Sequence, residues 1–173
     1  NCQYMPLSES ITNMLAHKGQ YYVNNVTEIF MQHPELLEDL QLNTLKSIDQ
    51  SIDQDSWLKL NMFLGGPNTA SSLHCAVGGN FFVNVVGRKK WTLIDPAYTQ
   101  HFKTTPSQNF GFVISGYDLE DDQQMHQLNC SVPMHEVILE PGDCLYVPPW
   151  WLHHVRNETD FTIGVAIRDH TVY

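Results

Sequence analysis

Positive charge is scarce in this sequence of 173 residues. Nine lysines and arginines stand against 19 aspartates and glutamates, giving a formal net charge of −10 at pH 7. A surface with this excess of acid repels phosphate backbones, so we expect no direct nucleic-acid partner. Part of the acid lies in one short run, Asp118 to Asp122, which is typical of a solvated loop. A peptide, a protein or a small molecule remains a suitable partner.

Long apolar stretches and closely paired cysteines are also missing. No run approaches the roughly 18 apolar residues that a membrane span needs, and the first residues lack the basic-then-apolar pattern of a secretory signal. We therefore expect a soluble, intracellular protein without a membrane role. The chain begins at Asn1, as a piece of a longer protein would. Its four cysteines form neither a CxxC pair nor a zinc pattern with histidine, which favours free thiols.

The residues that are present fit one folded domain. Apolar residues make up 42% of the chain, aromatic residues 11% and charged residues only 16%, which is enough apolar material for a real core. A chain of this length corresponds to about one domain. We therefore expect a single domain over residues 1–173.

Helical patterns predominate at the start of the chain, over residues 1–56. We predict helices over residues 8–15 and 34–40, a short strand over residues 21–23, and either state for residues 26–30. The polar stretch 41–56 is typical of a loop.

Short strands with Gly and Pro turns follow in residues 57–173. They are predicted over residues 57–64, 73–76, 81–86, 90–94, 136–139, 143–147, 153–157 and 161–167. Gly87, between two of these, suits a tight hairpin. The polar stretch of about 96–134 indicates a long insertion. Many short strands with helices gathered at one end predict a β-sandwich or barrel with helical decoration.

Two of the nine histidines stand out by their position. His74 begins one strand after a Ser- and Asn-rich turn, and His153 begins another after two prolines and two tryptophans. Residues at such strand ends point into the lumen of a barrel, where two neutral imidazoles suit a first-row divalent metal. From spacing alone, however, a structural role for both histidines is the commoner interpretation.

Two longer motifs surround these histidines. Residues 71–90 read SSLHCAVGGNFFVNVVGRKK, and residues 139–157 read LEPGDCLYVPPWWLHHVRN. Both resemble the JmjC group of Fe(II)- and 2-oxoglutarate-dependent oxygenases, in which His-x-Asp precedes Asn-Phe and Gly-x-Lys, and Pro-Gly-Asp precedes Trp-x-His-x-Val. A weaker similarity covers residues 20–23 and 34–39. The family includes asparaginyl and other protein hydroxylases, lysine demethylases and small JmjC-only enzymes.

The resemblance implies a fold, an activity and a set of site residues. The fold is a mainly β double-stranded β-helix, a cupin-like jelly roll with N-terminal helices, and the activity is that of a protein or peptide hydroxylase. His74 and His153 match the histidine ligands of iron, and Lys89 matches the lysine that pairs with the distal carboxylate of 2-oxoglutarate. Further matches to cosubstrate-binding positions are Ser71, Asn80 and Tyr22, although Tyr21 is adjacent to the last.

The third metal ligand of the family is missing. Ala76 stands where the resemblance implies a carboxylate, and a methyl group cannot ligate a metal. Strand alternation turns Cys75 to the opposite face, and Asp143 belongs to the Pro-Gly-Asp turn. The leading interpretation is an oxygenase that still binds Fe(II) and 2-oxoglutarate. The alternatives are a halogenase in which chloride fills the gap, an inactive cupin-like binding module, and an engineered Asp→Ala variant.

The substrate is less well specified. The insertion of about 96–134 is expected to cover the barrel mouth, and its acidity favours a basic substrate. Trp150 and Trp151 could line a substrate pocket, but aromatic residues in a barrel wall more often belong to the core. Dimerisation is common in the family, so a homodimer is compatible with the resemblance.

Overall fold

Helices at the N-terminal end are followed by two antiparallel sheets. The computed structural model describes residues 5–17, 21–48, 59–108, 111–128 and 132–168. The helices are α1 Leu7–Ala16, α2 Glu28–Gln32, α3 Leu36–Asp39, α4 Leu42–Ile48 and α5 Asp122–Leu128, with a 3-10 turn at Pro96–His101. The strands are β1 Tyr22–Val26, β2 Lys59–Gly65, β3 His74–Ala76, β4 Asn80–Val86, β5 Lys89–Ile94, β6 Thr104–Pro106, β7 Phe112–Ser115, β8 His135–Leu139, β9 Cys144–Val147, β10 Leu152–Asn157 and β11 Thr162–Arg168.

The two sheets form a cupin-like jelly roll, the double-stranded β-helix that the sequence predicts. One sheet has the strand order β1-β2-β11-β4-β9, and the other has the order β6-β7-β3-β10-β5-β8. A shared core joins them, because Phe63, Phe82 and Ala166 of the first sheet pack with Trp91 and Val155 of the second. Alternation places one side of each strand in this core.

The N-terminal helices cover the outer face of the five-stranded sheet. Met14 of α1 and Phe30 of α2 are buried together with Met62, Leu64 and Val165, whose side chains alternate with those of the inner face. None of the helices in the described part of the chain is long and apolar enough to cross a membrane.

Three local predictions differ from the structure. Helix α4 occupies part of the stretch predicted as a loop, because Leu45 buries its side chain in the outer cluster although its neighbours are polar. The stretch of about 96–134 contributes β6 and β7 to the six-stranded sheet through pairing of β7 with β3. The turn at Gly87 is not a hairpin, because β4 and β5 lie in different sheets.

The inner face of β11 has no space for a side chain at Gly164. A Cβ there would lie 2.3 Å from the Phe82 ring and 3.2 Å from Lys89 Cε. We expect Gly164→Ala to lower the free energy of unfolding by about 1–3 kcal/mol, because overpacking displaces the core side chains. Urea unfolding measures this, with Gly116→Ala as the control, since a Cβ there makes contacts of 3.4 Å or longer. Equal unfolding midpoints for the two variants would contradict the tight packing.

Candidate functional site

The two histidines singled out by sequence meet inside the fold. His153 of β10 lies directly opposite His74 of β3 in the antiparallel pairing, and their ring centroids are 4.3 Å apart. Both line a cavity of about 330 Å³ between the sheets. Residues 79 positions apart in sequence are therefore close enough to share one ion.

Each imidazole is held by a backbone carbonyl. His74 Nδ1 lies 2.7 Å from the Ser72 oxygen, and His153 Nδ1 lies 2.9 Å from the Trp151 oxygen. A carbonyl only accepts hydrogen bonds, so each Nδ1 carries the proton and each Nε2 keeps its lone pair. Burial lowers the pKa of both rings, which keeps them neutral. Metal-ligating histidines commonly have this arrangement.

The described residues do not supply a third ligand beside them. Ala76 ends β3, and Cys75 is buried on the opposite side with Leu73. Asp143 Oδ2 accepts a hydrogen bond from the Glu140 backbone at 2.8 Å, as a turn residue does. No group of three or more His, Cys, Asp or Glu side chains that could hold a metal ion occurs among the described residues. Among the described residues, the two imidazoles alone could therefore hold a metal ion, and they would need further ligands to complete its coordination.

Lys89 contributes a buried positive charge to the same cavity. Its side chain is 1% exposed, and Nζ donates to Asn157 Oδ1 at 2.6 Å and to Thr162 Oγ1 at 3.0 Å. Both partners are neutral, and none of the described residues lining the cavity is acidic. Burial therefore lowers the pKa of Lys89 to about 7. A buried cation without an acidic partner is costly, and an anionic ligand would relieve that cost.

The remaining predicted cosubstrate residues also line this cavity. They are Ser71, Asn80 and Tyr22. Ser71 Oγ accepts a hydrogen bond from the Val155 backbone, whereas Asn80 Oδ1 is buried without a partner. Tyr21 instead packs against the outer cluster under the helices. The geometry is compatible with the predicted roles, which remain predictions.

Two residues that line the cavity, Arg168 and Trp91, belong to no sequence motif that would have indicated a functional role. Arg168 is the last residue of β11, and its guanidinium lies 5.0 Å from the Phe112 ring centroid and 5.8 Å from that of Phe63. Burial lowers its pKa to about 10, so it is charged at neutral pH. Trp91 Nε1 is buried without an acceptor. An arginine at a strand end and a tryptophan within a strand are ordinary in sequence, so only the fold identifies them.

The tryptophans next to His153 do not line the cavity. Trp151 packs against the core between the sheets, as the sequence indicates. Trp150 is 47% exposed, has a positive φ of 65°, and donates its backbone N–H to the Ala76 oxygen at 2.8 Å. This bond ties the turn before His153 to the strand that carries His74.

Known proteins share sequence features with most of the chain. The family described as "Cupin-like domain" matches residues 3–167. Jumonji C domain-containing protein 5 of Drosophila melanogaster is 30% identical over 131 residues, which are 76% of this chain and 32% of that protein. Lysine-specific demethylase 8 of Xenopus tropicalis is 28% identical, over 88% of this chain and 34% of that protein.

Two further similarities have lower sequence identity. tRNA wybutosine-synthesizing protein 5 of Mus musculus is 26% identical over 93% of this chain and 48% of that protein. The chain thus spans between about a third and a half of these three relatives. The solved structure of YcfD, titled a ribosomal oxygenase from Escherichia coli in complex with cobalt and succinic acid, has a TM-score of 0.48 and 15% identity, covering 75% of this chain and 28% of that one.

Replacement of Lys89 by methionine tests the cost of its buried charge. We expect Lys89→Met to stabilise the ligand-free protein below pH 7, where Lys89 is charged in both the folded and the unfolded chain. Between pH about 7 and the ordinary pKa of 10.5, only the unfolded chain holds this proton. The free energy of unfolding of the wild type therefore rises by up to about 1.4 kcal/mol per pH unit in this window. The stability of Lys89→Met does not change in this way, so its stability advantage over the wild type shrinks as the pH rises.

Urea unfolding at pH 6, 7.5 and 9 measures this difference. The control is Lys90→Met, because Lys90 is partly exposed and pairs with Glu136 at 2.8 Å. A difference between the wild type and Lys89→Met that is constant across this pH range would contradict the lowered pKa.

Proposed function

Because the chain belongs to the cupin-like domain family and is similar to JmjC-domain proteins, we propose that it is an Fe(II)- and 2-oxoglutarate-dependent oxygenase of the protein or peptide hydroxylase type. Its metal triad is incomplete, with Ala76 in place of the carboxylate. The observation that carries the proposal is the position of Lys89, a buried cation without an acidic partner, in the same cavity as two imidazoles with free Nε2 atoms.

The cosubstrate part of the proposal depends on charge. A dicarboxylate such as 2-oxoglutarate would place one carboxylate against Lys89 Nζ, which already holds its two neutral partners. Charge-assisted hydrogen bonds of this kind are among the strong ones in proteins. Trp91 Nε1 supplies a further buried donor that has no acceptor among the described residues. The cavity therefore favours an anionic ligand.

The metal part depends on the two histidines. Nε2 of His74 and Nε2 of His153 would hold the ion, and the Ser72 and Trp151 carbonyls keep both rings in the required tautomer. Iron, when bound, supplies the oxygen activation that couples decarboxylation of 2-oxoglutarate to oxidation of a substrate C–H bond. The chain itself would bind and orient the cosubstrate through Lys89, and its aromatic walls at Phe63, Phe82 and Trp91 would exclude water.

A basic substrate is the one that the surroundings favour. Ser71 and Ser72 line both the histidine cavity and a neighbouring depression that contains Asp118 and Glu120, of which Glu120 already pairs with Arg156. A cationic side chain lying in this depression would meet acidic groups next to the cavity mouth. We therefore propose that a peptide or small molecule with a positive charge approaches over these serines.

Ala76 supports a second candidate function, that of a binding module without catalysis. Loss of a charged ligand should weaken metal binding by more than the roughly 10–100-fold that is typical when a residue hydrogen-bonded to a ligand is replaced. A module of this kind would keep the dicarboxylate site at Lys89 but have little affinity for metal. An engineered Asp→Ala variant would behave in the same way. A halogenase, by contrast, would require chloride for turnover.

Anaerobic titration distinguishes the oxygenase from the binding module. An oxygenase site should give a visible charge-transfer band with Fe(II) and 2-oxoglutarate, and His153→Ala should abolish it. Lys89→Met should weaken 2-oxoglutarate binding by about 10–100-fold, because a charged hydrogen bond is worth roughly 1.5–3 kcal/mol. The matched controls are His135→Ala and Lys90→Met, both on exposed or partly exposed residues. Absence of the band at millimolar metal would overturn the oxygenase and favour the binding module.

The affinity for 2-oxoglutarate should also depend on pH. Only the charged form of Lys89 attracts a carboxylate, and its pKa of about 7 in the free protein means that raising the pH removes this charge. We expect the dissociation constant of 2-oxoglutarate, measured by calorimetry on the metal-free protein, to rise by up to about tenfold per pH unit above pH 7. Lys89→Met should show a flat profile over the same range. A flat profile for the wild type would contradict the role of Lys89.

A further inference from the structure

The contacts of the Lys89 amine suit its neutral form. Two oxygens contact Nζ, Asn157 Oδ1 at 2.6 Å and Thr162 Oγ1 at 3.0 Å, and each accepts one hydrogen. A protonated amine has three hydrogens to donate, whereas a neutral amine has two hydrogens and one lone pair. Among the described residues, no third acceptor contacts Nζ. The two contacts therefore match the neutral amine, and its lone pair takes the remaining position around the nitrogen.

The charges in the cavity also disfavour the ammonium form. The other titratable residues among its described lining are Tyr22, His74, His153 and Arg168. Burial raises the pKa of Tyr22 and lowers that of both histidines, so these three are neutral at pH 7. Arg168 remains charged, because burial lowers its pKa only to about 10. The pKa of Lys89, which burial lowers to about 7, means that about half of its amine is neutral at this pH.

A hydrogen-bond donor without a partner lies on the same wall of the cavity. Trp91 follows Lys89 by two residues in β5, so both side chains point to the same face of the sheet. Trp91 Nε1 is buried and has no acceptor among the described residues. The Phe82 ring contacts both side chains, with its centroid 4.8 Å from that of Trp91 and 5.9 Å from Lys89 Nζ. A small oxyanion attached to Lys89 would therefore have a donor nearby.

We propose that Lys89 is a carbamylation site, where the neutral amine binds carbon dioxide covalently and the resulting carbamate excludes the dicarboxylate cosubstrate. The nitrogen lone pair attacks the carbon of CO₂, an N–C bond forms, and one C–O π bond breaks to give a carboxylate oxygen. The nitrogen then releases one proton to water, so that the amine and CO₂ become a carbamate anion and a proton. This reaction places a negative charge in a cavity that Arg168 also lines.

The carbamate would regulate the proposed oxygenase through one of its products. Decarboxylation of 2-oxoglutarate releases CO₂, so this part of the inference rests on the proposed function, whereas the carbamate itself requires neither metal nor cosubstrate. A carbamate at residue 89 replaces attraction for a carboxylate by repulsion between like charges. Only the unmodified fraction of the protein then binds 2-oxoglutarate, and the apparent dissociation constant rises by the reciprocal of that fraction.

The carbamate is tested on the metal-free protein with ¹³C-labelled bicarbonate, which exchanges with dissolved CO₂. The wild type should give a protein-bound ¹³C carbamate resonance, and alkylation with triethyloxonium followed by peptide mass analysis should locate it at Lys89. Lys89→Arg should lose the resonance, because a guanidinium stays protonated. Lys90→Met is the matched control and should keep it, since Lys90 is partly exposed and pairs with Glu136. A wild-type spectrum equal to that of Lys89→Arg would overturn the carbamate.

Asn157→Asp tests the electrostatic cause and leaves Lys89 in place. A carboxylate at residue 157 would stabilise the ammonium form and raise the pKa of Lys89. The ¹³C resonance should then weaken by up to about tenfold for each unit by which the pKa rises. In the wild type, the resonance should also fall as the pH is lowered below 7 at constant dissolved CO₂. A resonance that is unchanged in both measurements would contradict the neutral amine as the reactive form.

Competition is tested by calorimetry of 2-oxoglutarate binding to the metal-free protein in potassium bicarbonate and in potassium nitrate, a planar monoanion that forms no carbamate. When half of Lys89 is modified, the dissociation constant should be about twofold higher in bicarbonate. Equal constants in the two salts would overturn the competition. Absence of the ¹³C resonance, while Lys89→Met still weakens 2-oxoglutarate binding, would overturn this inference alone. A resonance in a protein whose 2-oxoglutarate affinity is unchanged by Lys89→Met would instead overturn the proposed cosubstrate site and leave the carbamate.

Discussion

The buried ammonium of Lys89 is the group around which the site is arranged. Asn157 Oδ1, 2.6 Å away, belongs to the same sheet as Lys89, whereas Thr162 Oγ1 belongs to the other sheet. Asn157 also donates to Thr69 Oγ1 at 2.8 Å, and a Cβ at Gly65 would collide with it. This network of hydrogen bonds joins the two sheets at the end of the cavity where Lys89 lies.

Charge inside the cavity is opposite in sign to that of the molecule as a whole. The chain has a net charge of −10, yet the described residues around the histidines include Lys89 and Arg168 and no acid. Such an interior favours anions over cations. The missing carboxylate at Ala76 therefore changes more than the number of ligands, because it also removes a negative charge from a cavity that Lys89 and Arg168 line.

The sequence predicts much of this arrangement because the motifs carry strong local information. His74, His153 and Lys89 meet at one cavity, and the jelly roll is confirmed. The sequence does not predict Arg168 as a residue of the cavity, because its place there follows from the pairing of β11 with β4, which no local pattern encodes. Helix α4 and strand β6 were hidden by their polar composition. The apolar residues of β7 were hidden by the longer polar stretch around them, and its pairing with β3 fixes it. The turn at Gly87 shows that a glycine indicates a turn but not which sheet the next strand joins.

The hydrogen bond from the Trp150 backbone to the Ala76 carbonyl has a consequence for how such a site changes over time. The main chain of residue 76 is fixed from the neighbouring turn, independently of its side chain. Exchange of alanine and aspartate at this position therefore keeps the backbone contact that positions the turn before His153. An acidic ligand can be lost or gained at residue 76 without rebuilding that turn.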